Sequence, residues 1–194
     1  MSRIIKPDQP VIFMKIGIHA QESLESIIER KLKEIDEEGM AFWGYGGNTC
    51  HPSSIVQPFA ANQRAKGKAI YLVMEKMQSN HWAEPIESDE YSVDDKVWEK
   101  IPKGIHVRGS RFALAIKNLQ AADDVLPLAH SHVAQGPSTG KNGGAYVFGR
   151  VDKACLELED GVQTPPEPGE KVARIGLVAE LCAPYAVFLR NRYS

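Results

Sequence analysis

Between residues 21 and 38 the sequence QESLESIIERKLKEIDEE sets its apolar side chains at Leu24, Ile27, Ile28, Leu32 and Ile35. Steps of three and four place them on one face of an α-helix. Glu29 and Lys33 stand four apart in the favourable order, and Gly39 is placed to end the helix as a left-handed cap. No other stretch restricts the fold as tightly. An amphipathic helix needs an apolar surface to cover, and both flanks supply one. Residues 11–18, VIFMKIGI, read as a buried strand. Residues 40–47, MAFWGYGG, read as a second strand ending in a glycine-rich turn. A short helix is expected over 55–65, with Pro58 confined to its first turn. A third strand, KAIYLVMEKM, covers 68–77. The first 77 residues therefore read β-α-β-α-β.

Beyond them the pattern changes. Residues 78–104 are polar, contain Pro85, Pro102 and Gly104, and read as an irregular excursion with a helical turn near 93–98. Short strands are expected at 105–108, 111–117, 126–133, 145–150, 153–159, 172–181 and 185–190. Turn signals such as Asp123-Asp124, Gly143-Gly144 and Pro165-Pro166 separate them. Many short strands at this spacing predict a sheet that curls into a barrel or sandwich. The TPPEPG stretch at 164–169 is a Pro-rich connection. Too few strands follow it to form a core alone, so they should complete the main sheet. The expectation is one α+β domain over 1–194, with a curled mixed or antiparallel sheet (a partial barrel) and one long amphipathic helix at 21–38.

Composition removes several classes. Hydrophobic residues make up 43% of the 194, enough apolar material to exclude a disordered chain. No apolar run approaches the roughly 18 residues that span a bilayer, and the N-terminal MSRIIKPDQP lacks a signal-peptide core. Cys50, Cys155 and Cys182 form no CxxC pair, which argues against a disulfide framework or a zinc ribbon. A cytoplasmic protein with no membrane partner is expected. The formal net charge of -2 opposes a wholesale phosphate binder but leaves room for a local basic face.

Four constellations could carry chemistry. In FWGYGGNTCHP, residues 42–52, Trp43 and Tyr45 alternate with glycine and fall on one side of a strand, where they could stack a base or cover the core. Arg108 and Arg111 flank a Gly-Ser turn and could form a basic rim for phosphates or a solvated strand face. In GPSTGKNGG, 136–144, the spacing and the Asn after Lys141 do not fit a nucleotide-triphosphate loop, yet Lys141 could touch an anion. His130 and His132 stand two apart on an expected strand and share a face, as two ligands of one metal would. The His-Ser-His run resembles the core of JAMM-type zinc isopeptidases, which would imply zinc. It departs from that family after His132, where Lys141 and Asn142 occupy the region in which the third, Asp ligand is sought.

The strand–helix–strand order, Trp43 near a small-residue turn, the third strand Ala69-Ile70-Tyr71-Leu72-Val73-Met74 and the later Trp82 and Trp98 resemble the layout of the PUA-like group, which includes EVE, YTH and ASCH modules. That resemblance implies an aromatic pocket with a basic rim that binds nucleic acid or a nucleotide-like ligand. Trp43, Tyr45, Trp82 and Trp98 would stack, and Arg108, Arg111 and Lys141 would contact phosphate. Two other readings stay open: a protein-interaction or inhibitor module without catalysis, and a metal-dependent hydrolase built on His130 and His132. A binding role without a catalytic residue or cofactor is the leading expectation.

Overall fold

The computed structural model describes residues 3–81, 83–148 and 151–192. The helix forms where its spacing places it. Ser23 caps the N-terminus of α1 (Leu24–Glu38), its hydroxyl accepting the amide of Ser26 at 3.2 Å. Gly39 ends the helix at φ 83° and returns its amide to the Ile35 carbonyl at 2.9 Å. The strand β1 (Pro10–His19) precedes it and β2 (Ala41–Tyr45) follows it. A single wide turn of π-helix, Pro52–Val56, then runs into α2 (Gln57–Ala65), and β3 (Tyr71–His81) completes the β-α-β-α-β order.

The remaining strands are β4 (Glu90–Ser92), β5 (Glu99–Lys100), β6 (Phe112–Leu126), β7 (Ser131–Val133), β8 (Lys153–Leu158) and β9 (Ala173–Arg190), with a short α3 (Gly143–Tyr146) before β8. All nine strands of the described residues join one sheet, in the order β2-β6-β9-β3-β1-β8-β7. β4 pairs with one end of β9 and carries β5. Every pairing is antiparallel except β1 with β3. Parallel neighbours need a crossover, and here it consists of α1, β2 and α2.

Alternate residues of β1 serve opposite faces. Ile12, Met14 and Ile16 join the larger core with Trp43, Tyr45, Leu72, Leu114 and the apolar side of α1 and α2. Val11 and Phe13 join a second core with Val73, Leu156 and Ile175. A third, smaller cluster places Phe42 against Ala113, Val187, Ile105 and Val107. Trp43 and Phe42 thus part to opposite sides of β2, as the period of two requires. Among the described residues no helix is long and apolar enough to cross a membrane.

The expected curled partial barrel does not form. The sheet is open, with β2 and β7 at its two ends, and it is neither closed nor strongly curled. The short segments anticipated in the second half fuse into long strands: 172–181 and 185–190 become one 18-residue β9, and 111–117 extends to Leu126. Asp123-Asp124, a turn signal in sequence, is absorbed at a register shift inside β6. Three other segments also differ. Of the strand expected at 145–150, residues 145–148 are described and form none, because the Asn142 side chain accepts the amides of Gly144 and Ala145 and starts α3 instead. At 93–98 no helical turn forms; the Asp94 carboxylate holds the amides of Lys96 and Val97 in a bend between β4 and β5. Residues 105–108 pair with no strand except through an isolated bridge between Glu87 and Arg108, and side chains of α1 hold their backbone instead.

Candidate functional site

The C-terminal end of β1 stops beside the C-terminal end of β2, and α1 covers the gap. The result is a cavity of about 640 Å³. Its walls are residues 14–20 of β1 and beyond, the turn at 46–49, one face of α1, the 107–110 segment and the start of β8. Trp43 and Tyr45 form the floor and are only 4% and 3% exposed. Both therefore act as a packed surface rather than as projecting platforms. The Tyr45 hydroxyl donates to the Cys50 carbonyl at 2.6 Å, and burial pushes its phenol well above the usual value, so Tyr45 stays neutral. Gly44, between the two rings, leaves no room for a side chain: a Cβ there would lie 2.2 Å from Ser110 Oγ and 2.7 Å from Val107 Cγ2.

The charged lining is unequal. Five cations, Lys15, Arg30, Lys31, Arg108 and Lys153, face the cavity against two carboxylates, Glu22 and Asp152. Arg30 pairs with Glu22, and its Nε, 3.7 Å from Glu34 Oε1, has no hydrogen-bond partner among the described residues. Lys153 donates to Asp152 at 2.7 Å. The side chains of Lys15 and Arg108 form neither a hydrogen bond nor an ion pair with the described residues.

Lys31 and Glu34 do a different task. They occupy the buried face of α1 although the spacing offered Leu32, which is 44% exposed instead. Lys31 Nζ donates to the His106 carbonyl and lies 3.2 Å from Glu34 Oε2, while Glu34 Oε1 accepts the His106 amide at 2.9 Å. One ion pair thus satisfies both backbone polar groups of His106, which has no strand neighbour, and fixes the segment that leads into the 107–110 wall of the cavity. Burial pulls the Lys31 ammonium down to about 8, against the upward pull of Glu34.

That shift carries a pH dependence. The unfolded lysine keeps its proton to about 10.5 and the folded one to about 8. Between these values the unfolded state binds more protons, so this group adds stability as pH rises from about 8 towards 10.5. The difference in urea midpoint between the natural protein and Lys31→Met should therefore move in favour of the natural protein over that window. A flat difference would remove the titration from Lys31. Buried tyrosines and thiols titrate in both proteins and cancel.

His19 and Ser110 also line the cavity, with His19 Nε2 3.1 Å from Ser110 Oγ. The same nitrogen is 3.2 Å from the Arg108 carbonyl, and the Ser110 hydroxyl donates to that carbonyl at 3.0 Å. A carbonyl only accepts, so in the tautomer that bonds to it Nε2 is the donor, and the histidine and serine together hold the 108–110 turn. Behind the floor, Cys50 and Cys155 lie buried with their sulfurs 3.9 Å apart. Their mutual hydrogen bond, then burial, raises the Cys155 thiol.

Compared with known proteins, the chain matches no family model, no curated protein and no solved structure. Its function has to be argued from its own residues.

Of the residues singled out in sequence, Trp43, Tyr45 and Arg108 meet at this cavity. Arg111 does not line it; its guanidinium lies over Phe112, 5.1 Å from the ring centre. Trp98 stacks under Arg190 at 4.0 Å. Lys141 is exposed in the loop before α3. Trp82 lies outside the described residues. His130 and His132 do not share a strand, because Pro127 opens a 3-10 turn, Leu128–His130, and only His132 belongs to β7. His130 Nε2 lies 3.7 Å from Glu170, and His132 contacts Glu159 at 3.0 Å and Glu157 at 3.8 Å. Among the described residues no group of three or more His, Cys, Asp or Glu is arranged to hold a metal ion.

The sequence reading passed over Lys15, His19, Arg30 and Lys31. Two of them left a signal. Lys15 is the single charge inside the apolar run 11–18, and Lys31 follows Leu24 and Ile27 at steps of three and four. Arg30 left none that spacing could pick out.

Proposed function

We propose that this cavity binds a nucleotide or nucleotide-like ligand and that the protein is a binding module. One observation carries the reading: a cavity of about 640 Å³ has an aromatic floor, Trp43 and Tyr45, and five cations to two carboxylates around it. Its volume falls within the roughly 300–1,000 Å³ of small-molecule sites. A flat apolar ring suits the floor, and a negative group suits the rim. The depth of the floor favours a single nucleotide, free or at an unpaired position of a strand, over a strand lying along a surface. The likeness to PUA-like modules supports the order of the first three strands in this reading and not a curled sheet.

Tryptophan fluorescence tests it, since Trp43 is one of three tryptophans. Nucleoside monophosphates and mixed-sequence single-stranded DNA and RNA would be titrated at low and high salt. Saturable quenching that weakens with salt is expected. Trp43→Phe should remove the quenching and leave the emission of Trp82 and Trp98. If neither free nucleotides nor single strands change the signal or release heat, the reading falls. Strands that bind while mononucleotides do not would make the ligand a nucleic acid.

A further inference from the structure

Buried backbone amides are almost all paired within the protein, while those of an exposed turn are open to water or to a ligand. The amides of Gly46, Gly47, Asn48 and Thr49 donate to no described residue. All four residues line the cavity, immediately after the aromatic floor. Gly47 takes φ 87°, a conformation that favours glycine, and Gly46 has open space where a Cβ would project. A Cβ on Gly47 would lie 3.4 Å from Lys153 Nζ. The amine of Lys153 is therefore next to the turn.

Lys153 is an unusual neighbour for a surface turn. Its side chain is only 6% exposed, yet its charged end donates a single hydrogen bond, to Asp152. An ammonium has three hydrogens to donate. The Asp152 carboxylate is 55% exposed, so water shares in holding it. Lys153 Nζ is also 5.9 Å from the centre of the Tyr45 ring, which places the charge above the floor. A buried cation with donors to spare thus lies beside a run of amides that have no protein acceptor, at one end of the cavity. Successive free amides and a lysine are how proteins hold phosphate without a helix.

We propose that the turn at 46–49 and Lys153 together bind the phosphate of the ligand, so that the cavity selects nucleoside phosphates over nucleosides. This rests on the nucleotide reading above and assigns the ends: the ring lies over Trp43 and Tyr45, and the phosphate sits against Gly47 and Lys153. Arg108 and Lys15 remain for the outer rim.

Calorimetry with the full chain separates the two ideas. The probes are the four nucleoside monophosphates, their nucleosides, and inorganic pyrophosphate. Each monophosphate should bind about 10- to 100-fold more tightly than its nucleoside, the range of one or two charge-assisted hydrogen bonds. Lys153→Met should bring the monophosphate down to the affinity that the same variant shows for its nucleoside, and Lys153→Arg should restore part of the preference. Equal binding of nucleoside and monophosphate by the natural protein overturns the inference while the nucleotide reading stands. A preference that survives Lys153→Met also overturns it. If no nucleoside or nucleotide binds but pyrophosphate does, and Lys153→Met abolishes it, the nucleotide reading falls and the phosphate site stands. Binding of none of the probes overturns both. The comparison within the natural protein holds even if Lys153→Met fails to fold.

Discussion

Replacing Glu34 with alanine should lower stability by about 3–5 kcal/mol, as expected when one partner of a buried ion pair is removed. Glu34 is 2% exposed and Lys31 1%. The substitution leaves the Lys31 charge in the core with only the His106 carbonyl, and leaves the His106 amide without its acceptor. Urea unfolding followed by circular dichroism measures the loss. The double variant Lys31→Met with Glu34→Leu should recover part of it, because no charge then stays buried. It should not recover all, since the 106 peptide still loses both partners. A cost below about 1 kcal/mol for Glu34→Ala would mean that water reaches Lys31 and that the pair is not the clamp described here.

The second large effect is at Trp43. Trp43→Ala should cost about 3–5 kcal/mol, the range for removing a large aromatic from a packed core. Trp43 faces Leu114 across the β2–β6 pairing and packs in the same cluster as Ile16 and Leu72. The lost volume adjoins the cavity, so the site should also lose its rigid floor. Thermal unfolding would show a large drop in midpoint, and Trp43→Phe should keep most of the stability. Near-neutral behaviour of Trp43→Ala would show that the floor can collapse around the gap, which does not suit a preformed ring site.

Much of the first third of the molecule was legible from side-chain periodicity. Leu24, Ile27 and Gly39 are enough to draw α1, and the alternation around Trp43 draws β2. These elements follow local rules, and local rules are visible in a sequence. The second half was harder. Whether 172–181 and 185–190 are one strand or two depends on which strands lie alongside, and β6, β3 and β4 do. The Asp123-Asp124 pair favours a turn by itself, but neighbours on the sheet carry the strand through it as a bulge. The site was partly legible for the same reason. Trp43, Tyr45 and the glycines stand together in sequence. Lys15, Arg30, Arg108 and Lys153 come from four separate segments, and only the crossover between β1 and β3 brings them to one cavity.

β9 lies between β6 and β3, although it is the last described strand in chain order. Without it the sheet separates into β2 with β6, and β3 with β1, β8 and β7. A nascent chain that has emerged only as far as residue 172 therefore holds two part-sheets, each with an edge of unpaired backbone N–H and C=O groups. At about 5–20 residues per second they wait about a second or more for their shared neighbour. β1 and β2, which meet at the cavity, belong to different halves. An interrupted copy would show sticky edges before it had a settled pocket, so quality control that senses exposed strand edges would remove it before it could compete for ligand.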